Sequence, residues 1–442
     1  MESLALMPKY EVYKNSGEDW IGDIPSGWDL VPIRSIFKFR NEKNSPVKTE
    51  EILSLSIANG VTKYSDKGRG GNKRKDDISA YKIAHPKDIV LNSMNVIVGA
   101  VGMSKYHGAI SPVYYALYTE SEDVLVEYYE KIFLNEGFQR GLLKFGKGIL
   151  IKLSGTGKLN TIRMKVSTDD LKSLYFPKPP IAEQNLIFSF LDKKTAQIDE
   201  AISIKEQQIN LLKERNQIII QKAVTQGLNS NVLMKDTGID WIGKIPEHWD
   251  ISLAKYILKK LNRPRKKNGD TVICSNHGCS KLLGEVNQGL VSLTQHDYQG
   301  VDDGDLLVHG MDAWHGAIAI SEHTGDCTSV VHVCDSHFNK VYIAYFLKML
   351  AIMNVYKVIS NGVRGNTSDF RSWSKFGEIQ IILPPMDEQA AIVELLSKQI
   401  QDTERAIEMF QNQIAALKEY KASFIHTVVT GKVKVTPEMV EQ

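Results

Sequence analysis

The chain has 442 residues, 43% apolar and 24% charged, which suits a water-facing protein of two or three domains. Its net charge of +2 says nothing by itself about nucleic acid, so a case for such a partner must rest on where the cations cluster. No run of about 18 apolar residues suggests a membrane span, the opening MESLALMPKYEVYKNSGEDW does not read as a signal peptide, and four cysteines do not make a disulfide framework, so a cytoplasmic location is expected.

The first recognisable feature is Trp20-Ile21-Gly22-Asp23-Ile24-Pro25-Ser26-Gly27-Trp28-Asp29. It opens a block, roughly 18–178, of short β-rich runs at 52–57 and 88–91 and a helical run at 124–135, broken by Gly and Asn. Within it, Lys67, Arg69, Lys73, Arg74 and Lys75 crowd one Gly-rich loop. From 131 to 165 eight Lys/Arg face one acid, Glu136; they include Arg140, Lys144, Lys147, Lys152, Lys158 and Arg163. Gly141 to Lys147 has P-loop spacing, but Gly148 stands where a magnesium-binding hydroxyl is needed, so the stretch reads as a basic loop. Pro179-Pro180-Ile181-Ala182-Glu183-Gln184 closes the block, since proline interrupts a strand and is tolerated at a helix's first turn. Residues 181–226 then read as one helix, with Leu191, Ile198, Ile202, Ile209, Leu212 and Ile219 along a narrow seam interrupted at Lys205.

The pattern then starts again. Trp241-Ile242-Gly243-Lys244-Ile245-Pro246-Glu247-His248-Trp249-Asp250 repeats the opening motif 221 residues later, identical at seven of ten positions. Pro384-Pro385-Met386-Asp387-Glu388-Gln389 repeats the closing one 205 residues later, so the first copy is longer by 16 between its markers. The second block, roughly 240–383, has an apolar run at 306–308 and a helical run at 339–353. Its basic residues gather at Arg263, Arg265, Lys266 and Lys267 and in a loop with Arg364, Asn366, Thr367 and Arg371. All four cysteines (Cys274, Cys279, Cys327, Cys334) fall here among several histidines, but no C-x2-C knuckle appears and the first block has no counterpart, so reduced, partly buried thiols are expected rather than zinc. The second helix, 386–428, carries Leu396, Ile400, Ile407, Phe410, Ile414, Leu417, Phe424 and Val428, with Thr403 as its polar interruption. Two matched helices, each on the order of 65 Å long, suggest pairing with each other, antiparallel.

No catalytic constellation emerges. An adenine methyltransferase loop needs Asn/Asp-Pro-Pro-aromatic; here Lys178 and Leu383 precede the Pro-Pro pairs and Ile181 and Met386 follow them. Recurrent cationic clusters with Gly and Asn instead suit DNA: Lys and Arg neutralise phosphates, and Arg and Asn can read base edges.

The order Trp-Ile-Gly-x-Ile-Pro-x-x-Trp, variable block, Pro-Pro-x-x-Glu-Gln and long helix, twice over, resembles the specificity subunits of type I restriction-modification systems across nearly the whole chain. The resemblance implies a mixed α/β (α+β) fold of two target-recognition domains (1–178 and 229–383) and two conserved helical segments (179–228 and 384–442). In that family the helices form an antiparallel coiled coil that separates the domains, giving an internal pseudo-two-fold repeat. It implies a non-catalytic subunit that reads a bipartite, asymmetric site on double-stranded DNA. Two modification subunits would bring S-adenosylmethionine, and two restriction subunits, using ATP and Mg, can join. The DNA-contacting residues named above come from residue chemistry alone. A stand-alone two-domain DNA-binding regulator is the alternative.

Overall fold

A computed structural model describes residues 6–66, 77–145, 147–149, 163–266, 269–285, 297–359 and 370–441; side chains at 147–149, 163 and 164 are outside the description. The chain divides into two compact units, the first formed by 1–204 with 412–442 and the second by 205–411.

The second unit is one continuous stretch of chain, and it shows why the repeated motifs have their composition. Met234–Asp236 pairs with Lys244–Pro246 inside the opening motif, and Asp250–Leu253 pairs antiparallel with Gln380–Leu383, Asp250 lying opposite Leu383. The end of the block is thereby laid beside its beginning. Between these lies an antiparallel four-stranded sheet in the order Lys259–Lys260, Val331–Asp335, Leu306–His309, Ile318–Ile320. The helix Lys340–Ile352 covers it; the side chain of Asn339 caps that helix by accepting from Val341 and Tyr342 N–H. Trp249, Tyr342, Phe346, Tyr356 and Phe376 fill the core.

The first unit repeats this plan. Tyr13–Asn15 pairs with Asp23–Pro25, and Asp29–Pro32 with Tyr175–Lys178, Asp29 opposite Lys178. Its four-stranded sheet runs Lys38–Phe39, Tyr114–Tyr118, Ile89–Asn92, Val101–Met103, the same order as in the second unit. The helix Val126–Phe133 takes the place of Lys340–Ile352, and Lys147–Ile149 pairs with Arg163–Lys165 in a further hairpin. Trp28, Tyr128, Tyr129, Phe133, Phe138 and Phe176 form the core, joined by Phe424, Val428, Val433 and Val435 from the far end of the sequence.

The long helices are Ile181–Gln226 and Met386–Val429. In the first unit Phe190 packs on Phe424 (ring centroids 5.4 Å) and Asp199 accepts from Lys421 Nζ (2.6 Å). In the second the Lys205 ammonium sits 5.4 Å from the Phe410 ring, while Gly227 lies beside Glu388. Within each unit, later residues of the first helix meet earlier residues of the second, so the pairing is antiparallel. Most of the seam is buried (Leu191, Ile198, Ile202, Ile209, Leu396, Ile414, Leu417, Phe424 and Val428), while Leu212, Ile219, Ile400, Ile407 and Phe410 are half-buried. Thr403 satisfies its hydroxyl inside its own helix by donating to Gln399 O (2.8 Å), which makes burial of this polar interruption tolerable. Among the described residues no helix is long and apolar enough to cross a membrane.

Candidate nucleic-acid interface

The repeated motifs meet. In the first unit the Trp28 indole N–H donates to Glu183 Oε2 (2.8 Å); in the second the Trp249 indole N–H donates to Glu388 Oε2 (3.0 Å). Gln184 Nε2 donates to Pro179 O and Gln389 Nε2 to Pro384 O, both at 2.8 Å. Their side-chain oxygens accept from Leu125 N–H (2.8 Å) and Asn339 N–H (3.0 Å), where the covering helices begin. Both glutamines are fully buried, so each amide needs these partners. The final carbonyls of each long helix are also claimed. Tyr342 hydroxyl donates to Val224 O at the end of the first helix (3.2 Å), and Tyr128 hydroxyl to Val429 O at the end of the second (3.1 Å). Each helix then stops at a left-handed glycine, Gly227 (φ 74°) or Gly431 (φ 73°), where a Cβ would come within 3.0 Å of Trp249 or Trp28. Both blocks therefore hang on the same clasp of Trp, Glu, Gln, Tyr and Gly.

The glutamate in the clasp has a second partner that differs between copies. Tyr10 hydroxyl donates to Glu183 Oε2 (2.6 Å), and burial beside that carboxylate raises the Tyr10 pKa far above its usual value. In the second unit His248 Nε2 donates to Glu388 Oε1 (2.6 Å).

The cationic clusters fare unequally. Lys67, Arg69, Lys73, Arg74, Lys75, Lys152, Lys158, Lys267, Arg364, Asn366 and Thr367 lie outside the described residues. Lys147 and Arg163 open opposite strands of one hairpin, and nothing is described of their side chains. Arg140 is well exposed, with an i,i+4 contact to Glu136 (3.5 Å) as its ion pair among the described residues; Lys144 is exposed 3.9 Å from Glu18. Both are available to an anionic partner.

Arg263, Arg265 and Lys266 are engaged within the protein. Arg263 grips Asp305 through two nitrogens and reaches Asp302 (3.2 Å); Lys266 Nζ also binds Asp302; Arg265 Nε bonds Asp326 (3.1 Å). The hydrogen bond from Lys266 holds the Asp302 carboxyl below the usual carboxylate range. Asp305 and Asp326 are almost wholly buried, so Arg263 and Arg265 compensate interior carboxylates, while Lys266 pairs with the half-exposed Asp302. The first unit builds the same feature with other residues: Arg40 Nε and Nη2 bond buried Asp88 at 2.6 and 2.9 Å. Arg263, Arg265 and Lys266 are neighbours in sequence, but their partners come from 36 or more residues away. Arg371 directly follows Phe370, whose N–H donates to Gly310 O (3.1 Å).

The cysteines sit in apolar surroundings. Cys274, Cys327 and Cys334 are buried and Cys279 is half-buried; desolvation pushes the Cys274 and Cys327 thiols up to about 12. Zinc needs thiolates, which such burial disfavours, and among the described residues no three potential ligands gather.

No family model matches the chain. A solved chain from work on complex assembly and conformational transition of the type I R-M system has the same fold: TM-score 0.67, 12% identity, covering 93% of this chain and 99% of that one. The chain shares the fold of a component of the type I R-M system. The HsdS subunit of Thermoanaerobacter tengcongensis is similar too (TM-score 0.50, 12% identity, covering 93% of this chain and 98% of that one). In sequence the chain is similar to the type I restriction enzyme MjaVIII specificity subunit of Methanocaldococcus jannaschii: 22% identical over 440 residues, 93% of this chain and 94% of that one. The likeness to HsdS subunits runs from end to end, in agreement with the resemblance carried by the paired motifs.

Proposed function

We propose that the chain is the DNA-specificity subunit of a type I restriction-modification complex, selecting the site and leaving chemistry to its partners. The observation that carries this reading is the doubled clasp. One frame is built twice, and on it sit two blocks whose sequences differ, which suits a bipartite site with unlike halves. The end-to-end similarity to known specificity subunits supports the same conclusion. Each block, 18–178 and 240–383, reads one half-site of double-stranded DNA. The exposed Arg140 and Lys144, with the cations named from the sequence other than Arg263, Arg265 and Lys266, supply phosphate and base contacts. Two modification subunits bring S-adenosylmethionine and extrude the target adenine from the duplex, and two restriction subunits can join with ATP and Mg. The complex works in the cytoplasm.

The test is a block exchange. Residues 240–383 are replaced by the equivalent block of a related chain, the hybrid is expressed with its modification subunit, and host DNA is sequenced for methylated bases. One half of the motif should change while the other half and the spacer persist. A change in both halves, or sequence-specific binding with no dependence on a modification subunit, would overturn the reading.

A further inference from the structure

The two units share one turn whose tip chemistry differs. After the strand Ile89–Asn92 the first unit makes a 3-10 turn, Val96–Val98, closed by left-handed Gly99 (φ 84°). After Leu306–His309 the second makes the same turn, Ala313–His315, closed by Gly316 (φ 89°). Even the bonds correspond: Ala100 N–H donates to Asn95 O (3.1 Å) and Ala317 N–H to Asp312 O (3.2 Å). In the first unit the tip is core, with Ile97 buried and Val98 partly so. In the second the equivalent pair is Trp314 and His315. The His315 ring lies 3.5 Å, centroid to centroid, from the Trp314 ring at a tilt of 31°, and His315 is exposed. Lys357, also exposed, holds its ammonium 4.7 Å from the Trp314 ring.

We infer that Trp314, His315 and Lys357 form a DNA-reading contact of the second unit, with His315 as a specificity-determining residue; this rests on the DNA-specificity reading above. The indole N–H of Trp314 is buried without a partner among the described residues, a cost that an apolar residue of similar size would avoid. The residue is therefore better explained by its ring face, which supports His315. An imidazole laid on an indole has few orientations left to lose on binding, and its nitrogens can donate to or accept from a base edge. The neighbouring ammonium suits a phosphate.

The turn also stands beside Arg371. Gly310 accepts from Phe370 N–H (3.1 Å), and a Cβ on Gly310 would meet the Arg371 backbone at 2.9 Å. The first unit ties its own chain in the same way, Val166 N–H donating to Ser93 O (3.0 Å). One scaffold with two different tips is what two unlike half-sites require.

The experiment uses the full chain with its modification subunit and duplexes carrying the wild-type methylated motif, each base pair varied in turn. H315A should fold with an unchanged melting temperature, because the side chain is exposed. It should lose roughly ten- to hundred-fold of discrimination at one base pair of the half-site assigned to 240–383, leaving the other half-site and the spacer intact. K357A should weaken binding to every duplex alike and reduce the salt slope by about one. If H315A keeps wild-type discrimination at every position, or relaxes the other half-site, this inference is overturned while the specificity reading stands. If the wild-type complex shows no sequence preference at all, both fall.

Discussion

Removing the Glu388 carboxylate tests whether the clasp holds a block together. In E388A the buried Trp249 indole N–H loses its only described acceptor, and His248 loses a half-exposed partner. An abandoned buried donor costs about 1–3 kcal/mol, and the exposed histidine contact adds little. Glu388 also lies in the first turn of its helix, where a negative charge contributes a further ~0.3–1 kcal/mol. For a unit of this size each kcal/mol moves the melting temperature by about 2–4 °C, so the combined cost of about 1.3–4 kcal/mol should appear in calorimetry as a fall of roughly 3–16 °C in the transition that holds the second block. E388Q keeps an acceptor oxygen and should lose mainly the charge contribution. The decisive comparison is a double-mutant cycle with W249F, which removes the donor. In the W249F background E388A should cost about 1–2 kcal/mol less than in the wild type. Strict additivity, within about 0.5 kcal/mol, would show that the hydrogen bond does not couple the two motifs and would refute the clasp.

Replacing Lys73, Arg74 and Lys75 together with Ala should weaken DNA binding and reduce the salt slope by about two to three, read by titration at several salt concentrations; an unchanged slope removes this loop from the interface. Hydrogen bonds from Lys48 and His85 hold the Glu42 carboxyl down at about 2. Its folded value lies below its unfolded one, so its stabilisation is present above about pH 4.5 and fades as pH falls towards 2. E42Q should therefore flatten the acid limb of stability between those values, and an unaltered limb would place the acid sensitivity elsewhere. Seven-residue insertions after both Glu206 and Gln411 preserve the heptad and lengthen the paired helices by about 10 Å, roughly three base pairs of DNA. The surviving methylated motif should carry a longer spacer, and an unchanged spacer would leave the helices a docking role only.

Where the sequence was legible, the information was local or repeated. The helix over 181–226 matches Ile181–Gln226, because its seam recurs at intervals of three, four or seven residues over many turns. The paired motifs were visible as repeats, but the hydrogen bond from Trp28 to Glu183 was not read, although each residue had been singled out. Two residue types that recur together at distant positions are candidates for contact, and that signal was available. The pairing of Arg263, Arg265 and Lys266 was not legible in their charge run, because Asp302, Asp305 and Asp326 reach it only in the folded chain. Trp314 forms no basic cluster, and His315 figures in the sequence only as one of the histidines around the cysteines. Comparing equivalent turns of the two blocks, where Ile97 and Val98 stand in the other copy, would have exposed them.

The first unit is assembled from both arms of the chain: Phe424, Val428, Val433 and Val435 lie in the same core as Trp28 and Phe133. The second is drawn from one uninterrupted stretch, 205–411. On the ribosome the usual order of domain maturation is therefore reversed. Residues 6–204 emerge first yet lack part of their own interior until residues 424–435 have been made, whereas the later block has all its material already in hand. A nascent chain that has brought residues up to 411 clear of the ribosome, but not those beyond, has every residue of its second block in hand, while the aromatic core of the first still waits on sequence to come.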